Sequence, residues 1–297
     1  MTRTLRGILG ILALALLLAP ARSFAAEAHE HFDFVHSGKH IKVWFYEAQG
    51  ATPQAPVVIV MHGVGRNGDD YLSDWIPLAK EHRFLLVVPE FSKEEFPGEQ
   101  AYNYGNTVDN AGRPVPREQW SFSAIEPVFD AVKSRTGNRS ERYRLYGHSA
   151  GAQFVHRFVC FVPGARVERV VAANAGAYLL PDWDSGFPYG LKGSAVTEAD
   201  IRKAFSLPFT VLLGTADTDP NSRALPRTPE AEAQGRYRLA RGKNYYAHAQ
   251  AAAKRLGVPL AWHLAFAPGI AHSDRGMAPF AAKILFPIPI NTELTKP

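Results

Sequence analysis

The segment Tyr146–Phe154 has the sequence YGHSAGAQF, in which Ser149 has one glycine two positions before it and another two positions after it. This spacing is typical of a serine nucleophile on a sharp turn between a strand and a helix, where a side chain at either flanking position would collide with a neighbouring element. A connection built from small residues for packing alone would have the same spacing. The remaining strand ends must distinguish these two interpretations.

Acidic partners for Ser149 are found after two later predicted strands. Asp217 lies three residues beyond the end of the predicted strand FTVLLG, and Asp219 lies five residues beyond it. We favour Asp217 because a position close to the strand end holds a carboxylate more rigidly. Asp219, which precedes a proline, is more typical of a turn or a cap. Asp182 and Asp184, after the preceding strand, are more distant alternatives.

Three histidines follow this acidic loop and could supply a base. His248 falls in a predicted helix and His263 in a predicted strand, whereas His272 lies on the loop after the last predicted strand. We therefore choose His272, whose Nε2 would take the proton of Ser149 while the aspartate fixes the ring through Nδ1. His148, the neighbour of Ser149, then becomes a bystander or a wall of the site.

Acyl transfer also needs two backbone donors for the oxyanion of its tetrahedral intermediate. One is expected at Ala150, directly after Ser149, and the other at Val64, in the loop that follows the predicted strand APVVIVMHG. The helix predicted after Ser149 would add the positive end of its dipole. The alternative for HGVGRNG is a flexible glycine turn.

Strands and helices alternate along the chain around these positions. Near-continuous apolar runs predict strands at residues 40–48, 55–63, 84–90, 142–147, 167–176, 209–214 and 260–269. Helical spacing predicts helices at residues 69–83, 121–137, 150–161, 244–257 and 276–286. Residues 181–208 are expected to form an irregular insertion. This alternation predicts an α/β fold with a mostly parallel sheet, flanked by helices on both faces, and with its chemistry at the carboxyl ends of the strands.

The first 25 residues have the order of a secretory signal peptide: two arginines, an apolar run from Ile8 to Ala19, and small residues before a cleavage site after Ala25. Residues 26–297 are then expected to form a single domain that is secreted or periplasmic. Removal of the leader lowers the formal charge from +5 to +2, because three arginines are lost. This charge does not favour nucleic-acid binding, and Cys160, the one cysteine, excludes an internal disulfide.

Two aromatic-rich stretches are candidates for the substrate pocket. The first contains Trp183, Phe187 and Tyr189, within the 181–208 insertion, and the second, residues 99–120, contains Tyr104. The alternative is that these side chains pack the loops onto the body. We expect at least one of the two stretches to cover Ser149.

A cluster of histidines lies close to the predicted cleavage site. His29, His31, His36 and His40 fall within twelve residues, but without a cysteine or a recognisable ligand spacing. We interpret this segment as solvated, and assign no metal and no cofactor.

Together these motifs resemble the α/β-hydrolase superfamily over approximately residues 41–286. Within it, the segment from APVVIVMHG to FLLVVPE is most similar to secreted esterases grouped with polyhydroxybutyrate depolymerases and feruloyl esterases. The chain departs from that group at Val64, where members often have a cysteine, and it lacks the HGGG segment of hormone-sensitive-lipase-like esterases.

The resemblance implies an exported serine hydrolase that cleaves small or polymeric carboxylic esters through an acyl-enzyme. A peptidase or amidase on the same fold is the alternative enzyme, and a non-catalytic binding protein that kept the fold is a third possibility. Neither a nucleic-acid partner nor stable membrane insertion after leader cleavage is expected. Activity is expected to rise between about pH 6 and 7.5, as an imidazole base loses its proton.

Overall fold

A computed structural model describes residues 30–287, and an eight-stranded sheet forms its centre. The strands are β1 (Glu30–His36), β2 (Lys39–Glu47), β3 (Val57–Met61), β4 (Leu85–Glu90), β5 (Tyr143–His148), β6 (Val167–Ala173), β7 (Phe209–Gly214) and β8 (Trp262–Ala267). Their order across the sheet is β1-β2-β4-β3-β5-β6-β7-β8. β1, β2 and β4 pair antiparallel, and every pair from β4 to β8 is parallel. The predicted mostly parallel sheet is confirmed.

The histidine-rich segment is not solvated as expected, because it forms the edge hairpin β1–β2. Phe32 is buried against the core, and the ring of His31 lies 4.7 Å from that of Trp44. The Nε2 of His36 donates a hydrogen bond to the carbonyl oxygen of Trp120. Alternation of Phe32 and Phe34 with polar residues is the strand signal in this segment. His29 lies outside the described residues.

Helices flank the sheet in the described part of the chain. They are α1 (Gly68–His82), α2 (Gly98–Ala101), α3 (Ile125–Thr136), α4 (Ala150–Phe161), α5 (Glu198–Ser206), α6 (Pro229–Ala233), α7 (Arg238–Leu256) and α8 (Asp274–Leu285). Helix α5 lies within residues 181–208, which were expected to be irregular. It begins with a capping box, in which Thr197 and Asp200 satisfy each other's backbone N–H groups.

The two faces of the sheet carry separate apolar clusters. All five residues of β3 are buried, and successive side chains point to opposite faces of the sheet. Val57, Ile59 and Met61 belong to the first cluster, and Val58 and Val60 belong to the second. Helices α3, α4, α5 and α7 cover the first cluster, and α1 and α8 cover the second. Burial on both faces explains why the parallel strands are continuous apolar runs.

No helix within residues 30–287 combines the length and apolar composition that crossing a bilayer would require. The predicted signal peptide, residues 1–25, lies outside the described residues.

Candidate active site

Ser149 is the single residue between the end of β5 and the start of α4. Its backbone has φ 57° and ψ −115°, a conformation that is strained for a residue with a side chain. The Ser149 N–H donates to the carbonyl oxygen of Ala173 at 3.0 Å, and the Ser149 carbonyl accepts from Gln153 N–H at 3.1 Å. The adjacent strand β6 and the first turn of α4 therefore hold this turn in place.

Close backbone approach explains the two flanking glycines. A Cβ at Gly147 would overlap the carbonyl of Gly151, and a Cβ at Gly151 would overlap the carbonyl oxygen of Met61 at the end of β3. The first turn of α4 thus lies directly against the sheet, and glycine is the residue that fits at both positions.

Replacement of Gly151 by alanine is expected to destabilise the protein, because the new Cβ would meet the backbone oxygens of Met61 and His62, which cannot rotate away. We expect the free energy of unfolding to fall by about 2–4 kcal/mol, measured by denaturant titration. Gly164→Ala is the matched control, since no heavy atom lies within 4 Å of a Cβ built there. Equal unfolding midpoints for the two variants would contradict this account.

Ser149, His272 and Asp217 are joined by two hydrogen bonds. His272 Nε2 lies 3.0 Å from Ser149 Oγ, and His272 Nδ1 lies 2.8 Å from Asp217 Oδ2. An ionised carboxylate can only accept, so Nδ1–H donates to Asp217 and Nε2 is left to accept from the Ser149 hydroxyl. Asp217 and Ser149 are buried, whereas the side chain of His272 is 27 % exposed. This arrangement makes the serine proton transferable to a histidine in contact with solvent.

The sheet brings these three residues together, because β5, β7 and β8, the strands they follow, belong to the run of four neighbouring parallel strands β5-β6-β7-β8. Asn174, just after β6, links the other two loops: its Oδ1 accepts from Gly214 N–H at 2.8 Å and its Nδ2 donates to the Ala271 carbonyl at 3.3 Å. Asn174 is fully buried with φ 53°. Sequence reasoning missed this residue, although an asparagine at the end of an apolar strand is a turn signal.

The alternative acids lie elsewhere. Asp219 is exposed, and its Oδ1 accepts from Asn221 N–H at 2.8 Å, as expected of a turn residue. Asp182 accepts from the N–H groups of Asp184 and Ser185 in a turn of its own.

The predicted oxyanion donors flank Ser149. Ala150 is the first residue of α4, and Val64 lies in the turn after β3. Within residues 30–287 neither N–H group donates to a protein acceptor. Val64 and Ser149 line the same cleft, whereas Ala150 is buried and does not line it.

Two buried side chains fix the turn that contains Val64. His62 Nδ1–H donates to the Gly63 carbonyl at 3.0 Å, and its Nε2 accepts from Phe91 N–H at 3.0 Å. Burial lowers the pKa of His62 to about 3, which keeps the ring neutral. Arg66 donates to the carbonyls of Phe91 and Gly98. These contacts exclude the flexible glycine turn, and sequence reasoning missed them because their partners are distant in the chain.

A cleft of about 470 Å³ opens beside Ser149. We call it the Ser149 cleft. It is lined by Gly63, Val64, Gly65, Asn67, Asp70, Tyr71, Ser73, Asp74, His148, Ser149, Ala224, His272 and Asp274. Much of its wall therefore comes from α1 and from the start of α8.

The four aromatic residues expected in the substrate pocket do not line this cleft. Tyr104 and Phe187 pack against each other with ring centroids 6.2 Å apart, and Tyr189 is buried and accepts from the Thr228 hydroxyl at 2.8 Å. Trp183 is partly exposed but also lies outside the cleft. Neither aromatic stretch contributes a residue to the cleft. These side chains instead pack the two loops onto the body of the protein, as the alternative interpretation expected.

His148 forms part of the wall of the site. Its Nδ1 lies 3.0 Å from the Tyr71 hydroxyl, and its ring centroid is 4.7 Å from that of His272. Burial holds the pKa of His148 well below its ordinary value, and the nearby His272 and Arg238 lower it further. The ring is therefore neutral beside His272.

Asp274 places a buried carboxyl group in the same cleft. Its Oδ1 accepts from the Tyr146 hydroxyl at 2.8 Å, and its Oδ2 has no hydrogen-bond partner within residues 30–287. Burial raises the pKa of Asp274 to about 8, and the charge of Asp74 contributes in the same direction. The group is thus mainly uncharged at neutral pH.

The stability of the protein is expected to depend on this carboxyl group. A free aspartate has a pKa of about 3.9, so between about pH 4 and 8 the folded state binds more protons than the unfolded state, and the contribution of Asp274 is lost as the pH rises through about 8. Asp274→Asn cannot ionise, so its unfolding free energy should fall less between pH 5 and 9 than that of the wild type. Denaturant titrations at pH 5, 7 and 9 measure this, with the exposed Asp70→Asn as the control. Parallel pH dependences of Asp274→Asn and wild type would contradict it.

No group of three or more histidine, cysteine or acidic side chains suited to a metal ion is found in the part of the chain that the structure describes.

Comparison with protein-family models and with curated proteins finds no match. Among solved structures, poly(aspartic acid) hydrolase-1 from Sphingomonas sp. KT-1 is 48 % identical, with a TM-score of 0.84, over 86 % of this chain and 97 % of that chain. A poly(3-hydroxybutyrate) depolymerase from Bordetella parapertussis is 37 % identical, with a TM-score of 0.82, over 87 % of this chain and 89 % of that chain. An S-formylglutathione hydrolase from Agrobacterium tumefaciens shares the fold at 16 % identity and a TM-score of 0.56, over 86 % of this chain and 92 % of that chain. The chain therefore belongs to the α/β-hydrolase superfamily, in the group that contains this depolymerase and this poly(aspartic acid) hydrolase, and it is a hydrolase.

Proposed function

We propose that the protein is an exported serine hydrolase that cleaves carboxylic esters through an acyl-enzyme. The observation that carries this proposal is the hydrogen-bonded chain from Ser149 Oγ to His272 at 3.0 Å and from His272 to Asp217 at 2.8 Å, on a strained turn at the carboxyl edge of the sheet. These distances lie within the range expected for a nucleophile and its base.

In the proposed reaction Ser149 Oγ attacks the ester carbonyl carbon while His272 Nε2 takes the hydroxyl proton. Asp217 holds the ring in the required tautomer and stabilises the imidazolium that forms. The oxyanion accepts hydrogen bonds from the N–H groups of Val64 and Ala150. Collapse breaks the ester C–O bond, and the imidazolium gives its proton to the leaving alcohol. Water then attacks the acyl-enzyme, with His272 again as base, releasing the acid and restoring Ser149.

Two substrate classes follow from the relatives. The depolymerase is named for a polyester, whereas poly(aspartic acid), the polymer of the 48 % identical relative, is held together by amide bonds. The same serine chemistry cleaves either bond, so an amide hydrolase is the second candidate function. The identity with the poly(aspartic acid) hydrolase is the observation that favours it.

A fluorophosphonate probe tests the nucleophile, and a substrate comparison tests the bond. We expect one covalent adduct, located on Ser149 by mass spectrometry of the digested protein. Turnover of p-nitrophenyl esters above that of aminoacyl anilides, and release of soluble acid from poly(3-hydroxybutyrate) rather than from poly(aspartic acid), would support ester cleavage. The opposite preference would assign the amide function. Absence of an adduct in folded protein would refute the hydrolase mechanism itself.

The proposed export is tested at the amino terminus. When the full chain is expressed in a bacterium with a periplasm, the periplasmic protein is expected to begin at Ala26, read by amino-terminal sequencing. Recovery of the uncleaved chain in the cytoplasm would contradict export.

A further inference from the structure

Arg238, the first residue of α7, lies behind the proposed acid and has no role in the mechanism above. Its Nη1 is 3.5 Å from Asp217 Oδ1, and the side chains of the two residues are 1 % and 3 % exposed. The two oxygens of Asp217 therefore have different partners: Oδ2 faces His272, and Oδ1 faces the buried guanidinium of Arg238.

Arg238 has few other partners. Nη1 also donates to Ser222 Oγ at 3.0 Å, whereas Nε and Nη2 have no hydrogen-bond partner within residues 30–287. In this same part of the chain, Asp217 is the one carboxylate within 4 Å of the guanidinium. Burial lowers the pKa of Arg238, and the charge of Asp217 opposes that shift. A buried cation with a single counter-ion is costly to retain for packing alone.

The loop and the helix are also joined through the backbone. The Leu239 N–H donates to the Asp217 carbonyl oxygen at 3.2 Å, and the Asp217 N–H donates to the Gly214 carbonyl at 3.1 Å. The start of α7, the end of β7 and the carboxylate therefore form one unit. Movement of the guanidinium relative to Asp217 would require the first turn of α7 to move.

We propose that Arg238 is a positioning residue that holds Asp217 turned toward His272, and that its charge sets the pH at which the enzyme loses activity in acid. The proposal rests on the function proposed above. Arg238 touches neither substrate nor the reacting atoms, and it acts through Asp217.

Among the titratable groups that the structure describes near the His272–Asp217 pair, Arg238 is the one that is both buried and charged. His148, Ser149, Tyr178 and Arg238 lie beside the pair, Asp219 lies near Arg238, and Asp274 shares the Ser149 cleft with His272. Burial keeps His148 neutral and raises the pKa of Tyr178 well above its ordinary value. Asp219 is exposed, and burial raises the pKa of Asp274 to about 8. A positive charge at Arg238 disfavours a second positive charge close by, so its removal is expected to raise the pH at which activity is lost in acid.

The test compares kcat/KM for p-nitrophenyl butyrate against pH, normalised to the concentration of fluorophosphonate-reactive sites. Arg238→Gln should move the midpoint of the acid limb upward by about half a pH unit or more and lower the plateau of kcat by about 10-fold or more, with little change in KM. Arg238→Lys keeps the charge and should keep the midpoint within about 0.2 pH unit, with a smaller loss of kcat.

Arg241→Gln is the matched control, because Arg241 is equally buried in the same helix but donates to the carbonyls of Gly235, Gly176 and Pro226. It should keep the wild-type midpoint even where it lowers stability. A wild-type midpoint in Arg238→Gln, or an equal shift in Arg241→Gln, would overturn the proposal. Should Arg238→Gln fail to fold, a midpoint displaced by about half a pH unit in Arg238→Lys would overturn it instead. Lack of labelling in the wild type is a separate result, and it refutes the proposed function.

Discussion

Ser149→Ala is expected to lower kcat for a p-nitrophenyl ester by about 10⁴-fold or more, because within residues 30–287 Ser149 Oγ is the one hydroxyl hydrogen-bonded to His272 Nε2. The variant should still fold and bind substrate. Its single lost hydrogen bond is the one to His272, and the turn itself is held by backbone bonds to Ala173 and Gln153. Steady-state kinetics with the purified protein measures the loss, and a denaturant titration shows that the fold is kept.

Ser73→Ala is the matched control for this variant. Ser73 also lines the Ser149 cleft, and its hydroxyl donates to the carbonyl of Asp69 within α1. We expect its kcat to stay within about threefold of the wild type, and its labelling by a fluorophosphonate to persist. If Ser149→Ala kept more than about a hundredth of the wild-type kcat, or still formed an adduct, a different nucleophile would have to be sought.

The sequence predicted the parts of the site that chain order and local spacing specify. The glycine spacing around Ser149 is a local pattern, and so are the positions of Asp217 and His272 after apolar strands. The parallel topology then places all three at the same edge of the sheet. The order of the strands was not predicted, and it is the neighbouring position of β5, β6, β7 and β8 that brings these residues within hydrogen-bond distance.

The parts that the sequence did not predict depend on contacts between distant segments. Asn174 joins two loops that lie 40 and 97 residues away along the chain, and Arg238 meets Asp217 because α7 begins directly behind the loop after β7. The part of the cleft wall that α1 forms was also missed, because the polar residues of α1 have the pattern of an ordinary exposed helix face. The aromatic residues were misassigned because burial, rather than the type of side chain, decides whether a ring lines a pocket.

Asp217→Asn is expected to lower kcat per labelled site by about 10⁴-fold, because an amide cannot stabilise the imidazolium and can present its NH₂ group to His272 Nδ1, which selects the wrong tautomer. Asp219→Asn should change kcat by less than about threefold, since Asp219 is exposed and an asparagine oxygen can still accept from Asn221 N–H. The same kinetic assay on both variants measures the contrast. A large loss in Asp219→Asn together with retained activity in Asp217→Asn would assign the acid to Asp219.

The two variants should also differ in stability. This difference distinguishes the contribution of the Asp217 charge to folding from its contribution to the reaction. Asp217→Asn leaves the buried Arg238 without its counter-ion, so the free energy of unfolding should fall by about 3 kcal/mol, whereas Asp219→Asn should leave it within about 0.5 kcal/mol. Because part of an Asp217→Asn sample is then expected to be unfolded under mild stress, activity must be expressed per fluorophosphonate-reactive site rather than per milligram. A loss of kcat that disappeared after this normalisation would mean that Asp217 maintains the fold around His272 and contributes nothing further to the reaction.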